Sequence, residues 1–469
     1  FMQRNRKYIY GAGLAFVLFA WASCTKLTET DYSNFITANY YNNETEVLSA
    51  VLRPYTHTQA WITSSGQVGY WRVSELAGDQ LAWPIKGVDG QDNGNWIRLH
   101  YHTWVIDDQD IVLNPWNLMY TGVGYCNDPI GNLEKLPASR MGITDQEREG
   151  LIAELHLLRA FYYIKLMDLY GNIPIATQVG APINLPTTPR DSVFQFCESE
   201  ILKYKDAIPN LSPAQIGRMS KAAAFAMLAE LYLNAEKWLG HQRYQDCIAV
   251  CDSLISSSAG SQTGGVMALD SNLTMTYSNT NENSQEIIWS MAYDYQKSTF
   301  RCNWNSDFYH FNEQFIYDGL QNGNNGVVLI PGVYAKYDDK DLRKKTWFYA
   351  GNMYYLSATE DKPDSSRPVP GYREYVGKPL IFVDNIRKNI TLAPGQDPGT
   401  LPSDMTTGEE NSGIRFNKYK PGRKTDAHYF SNDWAVYRLS WIYFAKAEAL
   451  MRLNGGTATQ EAVDLVNVV

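Results

Sequence analysis

The chain has 469 residues, of which 44% are apolar and 19% charged, as in folded globular proteins rather than disordered or fibrous ones. Its 50 acidic residues outnumber its 41 basic residues, which gives a formal net charge of −9. Because a phosphate backbone requires a basic protein surface, this balance argues against nucleic-acid binding. Aromatic residues reach 13%, which favours flat apolar faces at the surface as well as in the core.

The first segment of the chain is typical of a secretion signal. A basic start precedes an uncharged stretch at residues 8–22, which is shorter than the roughly 20 residues needed to span a bilayer. Small residues then precede Cys24, as in bacterial lipoprotein signals, where the cysteine thiol receives a diacylglycerol. We predict a lipoprotein-type signal peptide at residues 2–23, lipidation of Cys24 and attachment to a membrane through acyl chains. The alternative is an ordinary secretion signal with a chance cysteine.

The remaining cysteines and histidines do not predict a metal site. Cys247 and Cys251 lie four residues apart on one face of a predicted helix, but a metal site would need further His or Cys partners nearby. His100 and His102 form an H-x-H pair without an obvious third ligand. Buried small residues and structural histidines are therefore the favoured interpretation, and no metal or other cofactor is predicted.

Helical patterns dominate the chain and occur in pairs. In residues 151–170 apolar side chains recur at three- and four-residue steps, and Gly171 and Pro174 mark the end of the helix. The other predicted helices span residues 192–207, 220–236, 244–256, 442–453 (in a pair beginning near 434) and 460–469. Paired helices with alanine at their crossings resemble tetratricopeptide repeats. The chain stops within the last predicted helix, so we expect that the natural C-terminus is missing.

Two long insertions have a different character. Residues 57–105 contain few helical patterns and many Trp, Gly and Asp, whereas residues 257–430 mix turn-rich runs with short strand-like pieces at 286–289 and 379–383. Loops displayed on a rigid framework often carry binding residues. We therefore predict a mainly α fold, in which tetratricopeptide-like helical pairs form a scaffold and a loop-rich, irregular part carries short strands.

Enzyme motifs are not found in the sequence. No G-x-S-x-G elbow, H-E-x-x-H helix or P-loop is present. The adjacent carboxylates at residues 107–108 and 338–339 point to opposite sides of an extended chain, which favours turn or capping roles. No catalytic residue is predicted. A secreted carbohydrate-active enzyme remains an alternative, because glycosidases need only two suitably spaced carboxylates.

The tryptophans point to ligand binding. A sugar ring stacks its apolar face on Trp or Tyr, and Asn, Asp, Arg or Gln side chains bind its hydroxyls. Five of the 13 Trp lie within residues 61–104, and a second aromatic cluster lies at 303–310. The candidate ligand-binding residues are Trp71, Trp83, Trp96, Arg98, Trp304 and Tyr309. Trp83 and Trp96 lie in predicted turns and are therefore the better candidates for exposure; the alternative is that most of these Trp fill the core beneath the loops.

Several sequence segments, in a shared order, carry a resemblance to a known family. They are residues 92–104, 116–127, 158–174, 217–221, 286–289, 418–419 and 445–450, with Arg438 before the last. The segment 158–174 (LRAFYYIKLMDLYGNIP) is the most diagnostic. Over nearly its whole length the chain resembles the SusD/RagB outer-membrane lipoproteins of Bacteroidetes. Residues 439–441 depart from the family pattern.

The resemblance implies a surface-exposed, acyl-anchored glycan-binding protein that covers a SusC-like, TonB-dependent transporter and passes nutrient to it. It implies a SusD-like N-terminal region at 24–256, including the aromatic insertion, and a C-terminal region at 257–469. The helical face is implied to contact the transporter and the loops the ligand. A peptide ligand within the same family, and a structural repeat protein without a soluble ligand, are the remaining alternatives.

A Cys24→Ser substitution tests the predicted anchor. Without the thiol no diacylglycerol can be attached, so we expect the variant to leave the membrane fraction when cells are fractionated. The unchanged chain, fractionated in parallel, is the control. Full retention of the variant in the membrane fraction would contradict lipid anchoring.

Overall fold

The computed structural model describes residues 40–63, 69–182, 184–208, 215–298, 304–317, 323–359, 362–388, 402–423, 426 and 428–469. The predicted signal peptide and Cys24 lie outside the described residues. The chain divides into two units, residues 1–42 and 43–469. Only residues 40–42 of the first unit are described, and the second unit contains all the elements below. The predicted division between residues 256 and 257 stays a prediction.

Twelve α-helices lie in the described part of the chain. They are α1 (Glu44–Ile62), α2 (Tyr70–Leu76), α3 (Asn95–His100), α4 (Asn114–Lys135), α5 (Ala138–Met141), α6 (Asp145–Tyr170), α7 (Arg190–Tyr204), α8 (Lys221–Trp238), α9 (Tyr244–Ile255), α10 (Leu342–Thr346), α11 (Leu439–Leu453) and α12 (Gln460–Val468). The prediction of a mainly α fold is therefore confirmed.

The long helices pack in a row. Helix α1 packs on α4, α4 on α6, α6 on α7, α7 on α8, α8 on α9, α9 on α11 and α11 on α12. Each helix thus buries one face on each neighbour, as in repeat proteins. Helix α6 lies well inside this row, and its side chains are buried almost all round from Gly150 to Met167. A capping box formed by Thr144 and Glu147 fixes its first turn.

Some predicted elements differ from the observed ones. Residues 434–438 form a strand rather than the start of a helix, because they pair antiparallel with Ile287–Met291. Residues 57–105 contain more helix than predicted: α1 extends to Ile62, and α2 and α3 follow. Helices α2 and α3 have only 7 and 6 residues, so an apolar period of 3.6 residues is hard to recognise in their sequences.

The strands are short and form six two-stranded sheets within the described residues. They are β1 (Leu81–Ala82), β2 (Ile85–Lys86), β3 (Ile287–Met291), β4 (Val328–Leu329), β5 (Phe348–Tyr349), β6 (Gly351–Asn352), β7 (Tyr354–Leu356), β8 (Pro363–Pro368), β9 (Ile381–Phe382), β10 (Thr407–Gly408), β11 (Arg415–Phe416) and β12 (Trp434–Arg438). β1 pairs antiparallel with β4, and β2 pairs parallel with β10. These pairings attach the N-terminal loop to two distant segments of the C-terminal half.

The crossing of α4 and α6 depends on one glycine. A Cβ atom on Gly122 would lie 2.1 Å from the ring of Tyr162. That ring cannot move away freely, because its hydroxyl donates to the carbonyl of Pro54 at 2.9 Å and lies 2.7 Å from the hydroxyl of Thr58. Glycine therefore sets the close approach of the two helices here.

We predict that Gly122→Ala lowers the free energy of unfolding by about 1–3 kcal/mol, the usual range for overpacking a filled core. Gly124→Ala is the matched control in the same helix, because a Cβ there meets nothing within 4 Å and alanine raises helix propensity by up to about 1 kcal/mol. Denaturant unfolding of both variants measures the difference. Equal stability of the two would show that Tyr162 does not restrict this position.

Candidate functional site

The two aromatic clusters of the sequence meet around one ion pair. Arg72 on α2 donates from Nε and Nη2 to the carboxylate of Asp307, with both distances 2.8 Å. The Asp307 side chain is fully buried, and Asn324 donates to it at 3.0 Å. Beside this pair, Trp71 stacks on Phe308 with ring centroids 5.6 Å apart. The bidentate geometry fixes the position of α2 relative to residues 307–308.

Trp83 and Trp96 form a stacked pair next to Arg72. Their ring centroids are 5.4 Å apart at an interplanar angle of 24°. The Arg72 guanidinium lies 5.1 Å from the Trp83 ring centroid and 5.5 Å from that of Trp96, within cation–π range. The side chains are only 5% and 2% exposed. The expectation that these two rings are exposed is therefore wrong, because they stack on each other and on Arg72 instead.

Two glycines make room for Trp83. A Cβ on Gly326 would lie 2.4 Å from the Trp83 ring, and a Cβ on Gly90, whose φ is +72°, would lie 2.7 Å from its Nε1. The indole N–H of Trp96 donates to Asp92 at 2.8 Å. The indole N–H of Trp83 is buried and has no hydrogen-bond partner in the described part of the chain.

A cavity of about 390 Å³ opens beside this pair. The lining includes Arg72, Trp83, Asp89, Asp92, Phe311 and Asn324; we call it the Trp83 pocket. Near it, Tyr372 is 45% exposed and packs edge-on against Phe311, with centroids 5.6 Å apart. The Arg373 guanidinium lies over both of these rings and pairs with Asp89. The pocket therefore combines an unpartnered donor, carboxylates, an amide and aromatic surface.

Buried charges hold the far side of the Trp83 pocket. Lys86 donates to the carbonyl of Gly326 at 2.5 Å, and Arg415 donates to the Asn325 side chain at 2.7 Å. Burial lowers the pKa of Lys86 well below its ordinary value and raises the pKa of Glu313, near Arg415, to about 8. These groups fix the glycine segment against which Trp83 packs.

An exposed aromatic loop follows α3. Tyr101 is 50% exposed and Trp104 is 43% exposed. Arg98 positions this loop: it binds Asp108, whose carboxylate also accepts the Val105 N–H at 3.0 Å. The hydrogen bond from Arg98 lowers the pKa of Asp108. Tyr101 and Trp104 were not among the predicted ligand-binding residues, although Trp104 belongs to the same tryptophan-rich segment.

Of the other predicted site residues, one is buried and the side chain of another lies outside the described residues. Tyr309 is buried, and its hydroxyl donates to Asn417. The backbone of Trp304 begins a short 3₁₀ turn at Trp304–Asp307, but its side chain is outside the described residues. Within the described residues, no group of three His, Cys, Asp or Glu side chains could hold a metal ion. The helices described here include none with the length and apolarity needed to cross a membrane.

Comparison with known families matches both halves of the chain. Residues 56–233 match a SusD-like family described as starch-binding and associating with the outer membrane, and residues 285–469 match the SusD family, also called SusD/RagB. The chain belongs to the SusD/RagB family. The resemblance noted in the sequence is thereby confirmed.

Several relatives of this family member are named as binding proteins. The starch-binding protein SusD of Bacteroides thetaiotaomicron is 26% identical over 436 residues, which cover 85% of this chain and 71% of that protein. Surface glycan-binding protein A from Bacteroides uniformis has the same fold, with a TM-score of 0.63, 19% identity and coverage of 91% and 80% of the two chains. A laminarin-binding SusD-like protein gives a TM-score of 0.61 at 19% identity, covering 91% and 84%.

We predict that Arg72→Gln destabilises this SusD/RagB protein by about 3–5 kcal/mol, because it leaves the buried Asp307 carboxylate without its cation. Arg452→Gln is the control. The side chains of Arg452 and Glu448, which form an ion pair, are each about half exposed, so the loss of this pair changes stability by less than about 1 kcal/mol. Urea unfolding followed by tryptophan fluorescence measures both. Similar losses in the two variants would contradict a special role for the Arg72–Asp307 pair.

Proposed function

We propose that this protein is a cell-surface glycan-binding lipoprotein that captures oligosaccharides and passes them to a SusC-like, TonB-dependent transporter. The family description as starch-binding and outer-membrane-associated supports this proposal. The names of the related starch-, glycan- and laminarin-binding proteins support it as well. In this proposal Cys24 anchors the protein in the outer membrane, and the row of helices offers the transporter a broad, rigid face.

The observation that carries the proposal is the chemistry of the Trp83 pocket. Its buried indole N–H has no partner, and a sugar hydroxyl can accept a hydrogen bond from it. The hydroxyl groups of a sugar also donate hydrogen bonds, and the carboxylates of Asp89 and Asp92 can accept them. The side-chain amide of Asn324 can act as a donor or as an acceptor. A buried donor left without a partner costs free energy, so a ligand that satisfies it gains affinity.

Exposed rings supply the stacking that a sugar needs. Tyr372 lies beside Phe311 near the pocket, and Tyr101 and Trp104 form the exposed loop after α3. Aromatic faces at the surface bind the apolar side of a sugar ring, and tyrosine or tryptophan can also bond a hydroxyl. We propose that these rings make the first contacts with the glycan.

The residues predicted from the sequence have distinct roles in this proposal. Trp83 contributes its N–H to the ligand, and Trp96 holds the Trp83 ring in place. Trp71 stacks on Phe308, and the carbonyl of Tyr309 accepts from the Asn325 N–H, so both hold segments that adjoin the pocket; Arg98 positions the exposed loop. Trp304 remains a candidate ligand-binding residue.

We predict that Tyr372→Ala and Trp104→Ala each weaken oligosaccharide binding roughly tenfold, because each removes one stacking face. Trp83→Phe keeps an aromatic ring but removes the N–H, and it weakens binding several-fold. Maltoheptaose and laminarihexaose are suitable neutral probes in isothermal titration with the purified full chain. Phe444→Ala, at an exposed ring on α11, is the control and leaves binding unchanged.

The same experiments separate the alternatives. Unchanged affinity in all three site variants would contradict this site, and absence of binding to any glycan would contradict the function. A peptide that binds more tightly than the oligosaccharides would favour the peptide alternative. The appearance of new reducing ends during incubation with polysaccharide would show an enzyme instead.

A further inference from the structure

A second cavity lies in the C-terminal half of the fold. It has a volume of about 670 Å³, within the range of about 300–1,000 Å³ that is usual for small-ligand sites. β5 (Phe348–Tyr349) and residues 418–423 contribute to its walls, and no residue lines both this cavity and the Trp83 pocket. We call it the Lys418 cavity.

Positive charge dominates its lining. The cationic residues are Lys345, Lys418, Lys420 and Arg423, and the acidic one is Asp426. The Asp426 carboxylate is already bound by the Asn279 amide at 2.6 Å and by the His428 N–H at 2.8 Å. Lys345 is exposed, so its ammonium group can move to meet a ligand.

Lys418 is held by aromatic rings rather than by a carboxylate. Its Nζ lies 4.2 Å from the ring centroid of Tyr277 and 4.7 Å from that of Trp347. No ion pair joins it to an acidic side chain within the described part of the chain. The carboxylate of Glu286 is bound instead by Arg438 at 3.0 Å and by Ser440 at 2.6 Å. Burial, with Arg438 nearby, lowers the pKa of Lys418 well below its ordinary value, and the carboxylates of Glu75 and Glu286 only partly oppose this shift. A bound anion would raise this pKa again and so favour the charged ammonium group.

Unpartnered donors accompany this ammonium group. Tyr277 is one of the residues that line the cavity. Its hydroxyl and the indole N–H of Trp347 are both buried without a hydrogen-bond partner in the described residues. The Tyr277 side chain is buried, and burial raises the pKa of its hydroxyl, so this group remains a donor at neutral pH. An anionic group only accepts hydrogen bonds. A site that offers cations and donors without acceptors therefore suits an anion.

We propose that the Lys418 cavity binds an acidic sugar residue, through either a uronate carboxylate or a sulfate ester. This inference rests on the proposed glycan-binding function and specifies a class of glycan that the protein takes. Thr274, Ser278 and Asn352 also line the cavity, and their hydroxyl and amide groups suit the neutral hydroxyls of the same sugar. An acidic peptide would also offer carboxylates to the cations, and the titration below includes one for comparison.

Titration of the full chain with charged and neutral oligosaccharides tests the proposal. The acidic probes are tetragalacturonate and a sulfated carrageenan tetrasaccharide, and the neutral probe is laminarihexaose. We expect at least one acidic probe to bind, with an affinity that falls as salt is added. Lys418→Gln and Lys345→Gln should each weaken that binding by about tenfold or more and leave laminarihexaose binding unchanged. Because Lys345 is exposed, its variant keeps the test valid if Lys418→Gln does not fold.

Lys336→Gln is the matched control, since this lysine is exposed but does not line the cavity. The proposal is overturned if neither acidic probe binds, or if Lys336→Gln weakens binding as much as Lys345→Gln. It is also overturned if inorganic sulfate or an octaglutamate peptide binds at the cavity more tightly than the acidic sugars. If laminarihexaose binds while the acidic probes do not, only this inference fails. If no glycan binds at all, the proposed function fails with it.

Discussion

The arrangement of the loops depends on the ion pair between Arg72 and Asp307. The carboxylate of Asp307 is fully buried, so it is stable there only while the Arg72 guanidinium binds it through two hydrogen bonds. The pair joins α2, near the start of the helical row, to a segment more than two hundred residues later. The same guanidinium lies against Trp83 and Trp96. One cation therefore neutralises a buried charge, orders two tryptophans and forms part of the pocket wall.

The aromatic residues fall into two groups, one buried and one partly exposed to solvent. Trp71 on α2, Trp96 on α3 and Trp83 in the loop between these helices are buried, and their large flat rings fill space between short elements. The pocket edge and the loop after α3 instead leave Tyr372, Tyr101 and Trp104 partly open to solvent. In this fold the buried rings give the loops the rigidity that a regular sheet would otherwise provide. In the proposed function, the exposed rings are the ones that contact the glycan.

The scaffold and the binding loops follow different physical rules. Neighbouring helices of the row bury matched faces, and small residues such as Gly122 allow the close crossing of α4 and α6. The loops are tied to one another by two-residue strand pairs, by buried polar groups such as Arg415, and by glycines such as Gly326. Variation in such loops can change ligand chemistry without disturbing the helices. Two separate cavities of different charge on one scaffold are consistent with this division.

The sequence by itself determined the helical scaffold, because helices such as α6 and α8 are encoded locally by apolar spacing and N-terminal caps, and α6 also by a terminal glycine. It also indicated two aromatic-rich segments, residues 61–104 and 303–310, and the structure brings residues of both together around the Arg72–Asp307 pair. It could not decide which rings are exposed. Exposure of Trp83 depends on Gly326, which is distant in sequence, and on the tertiary packing that places the Arg72 guanidinium over its ring. Likewise, the Lys418 cavity exists only because residues from 274 to 426 are brought together by tertiary packing.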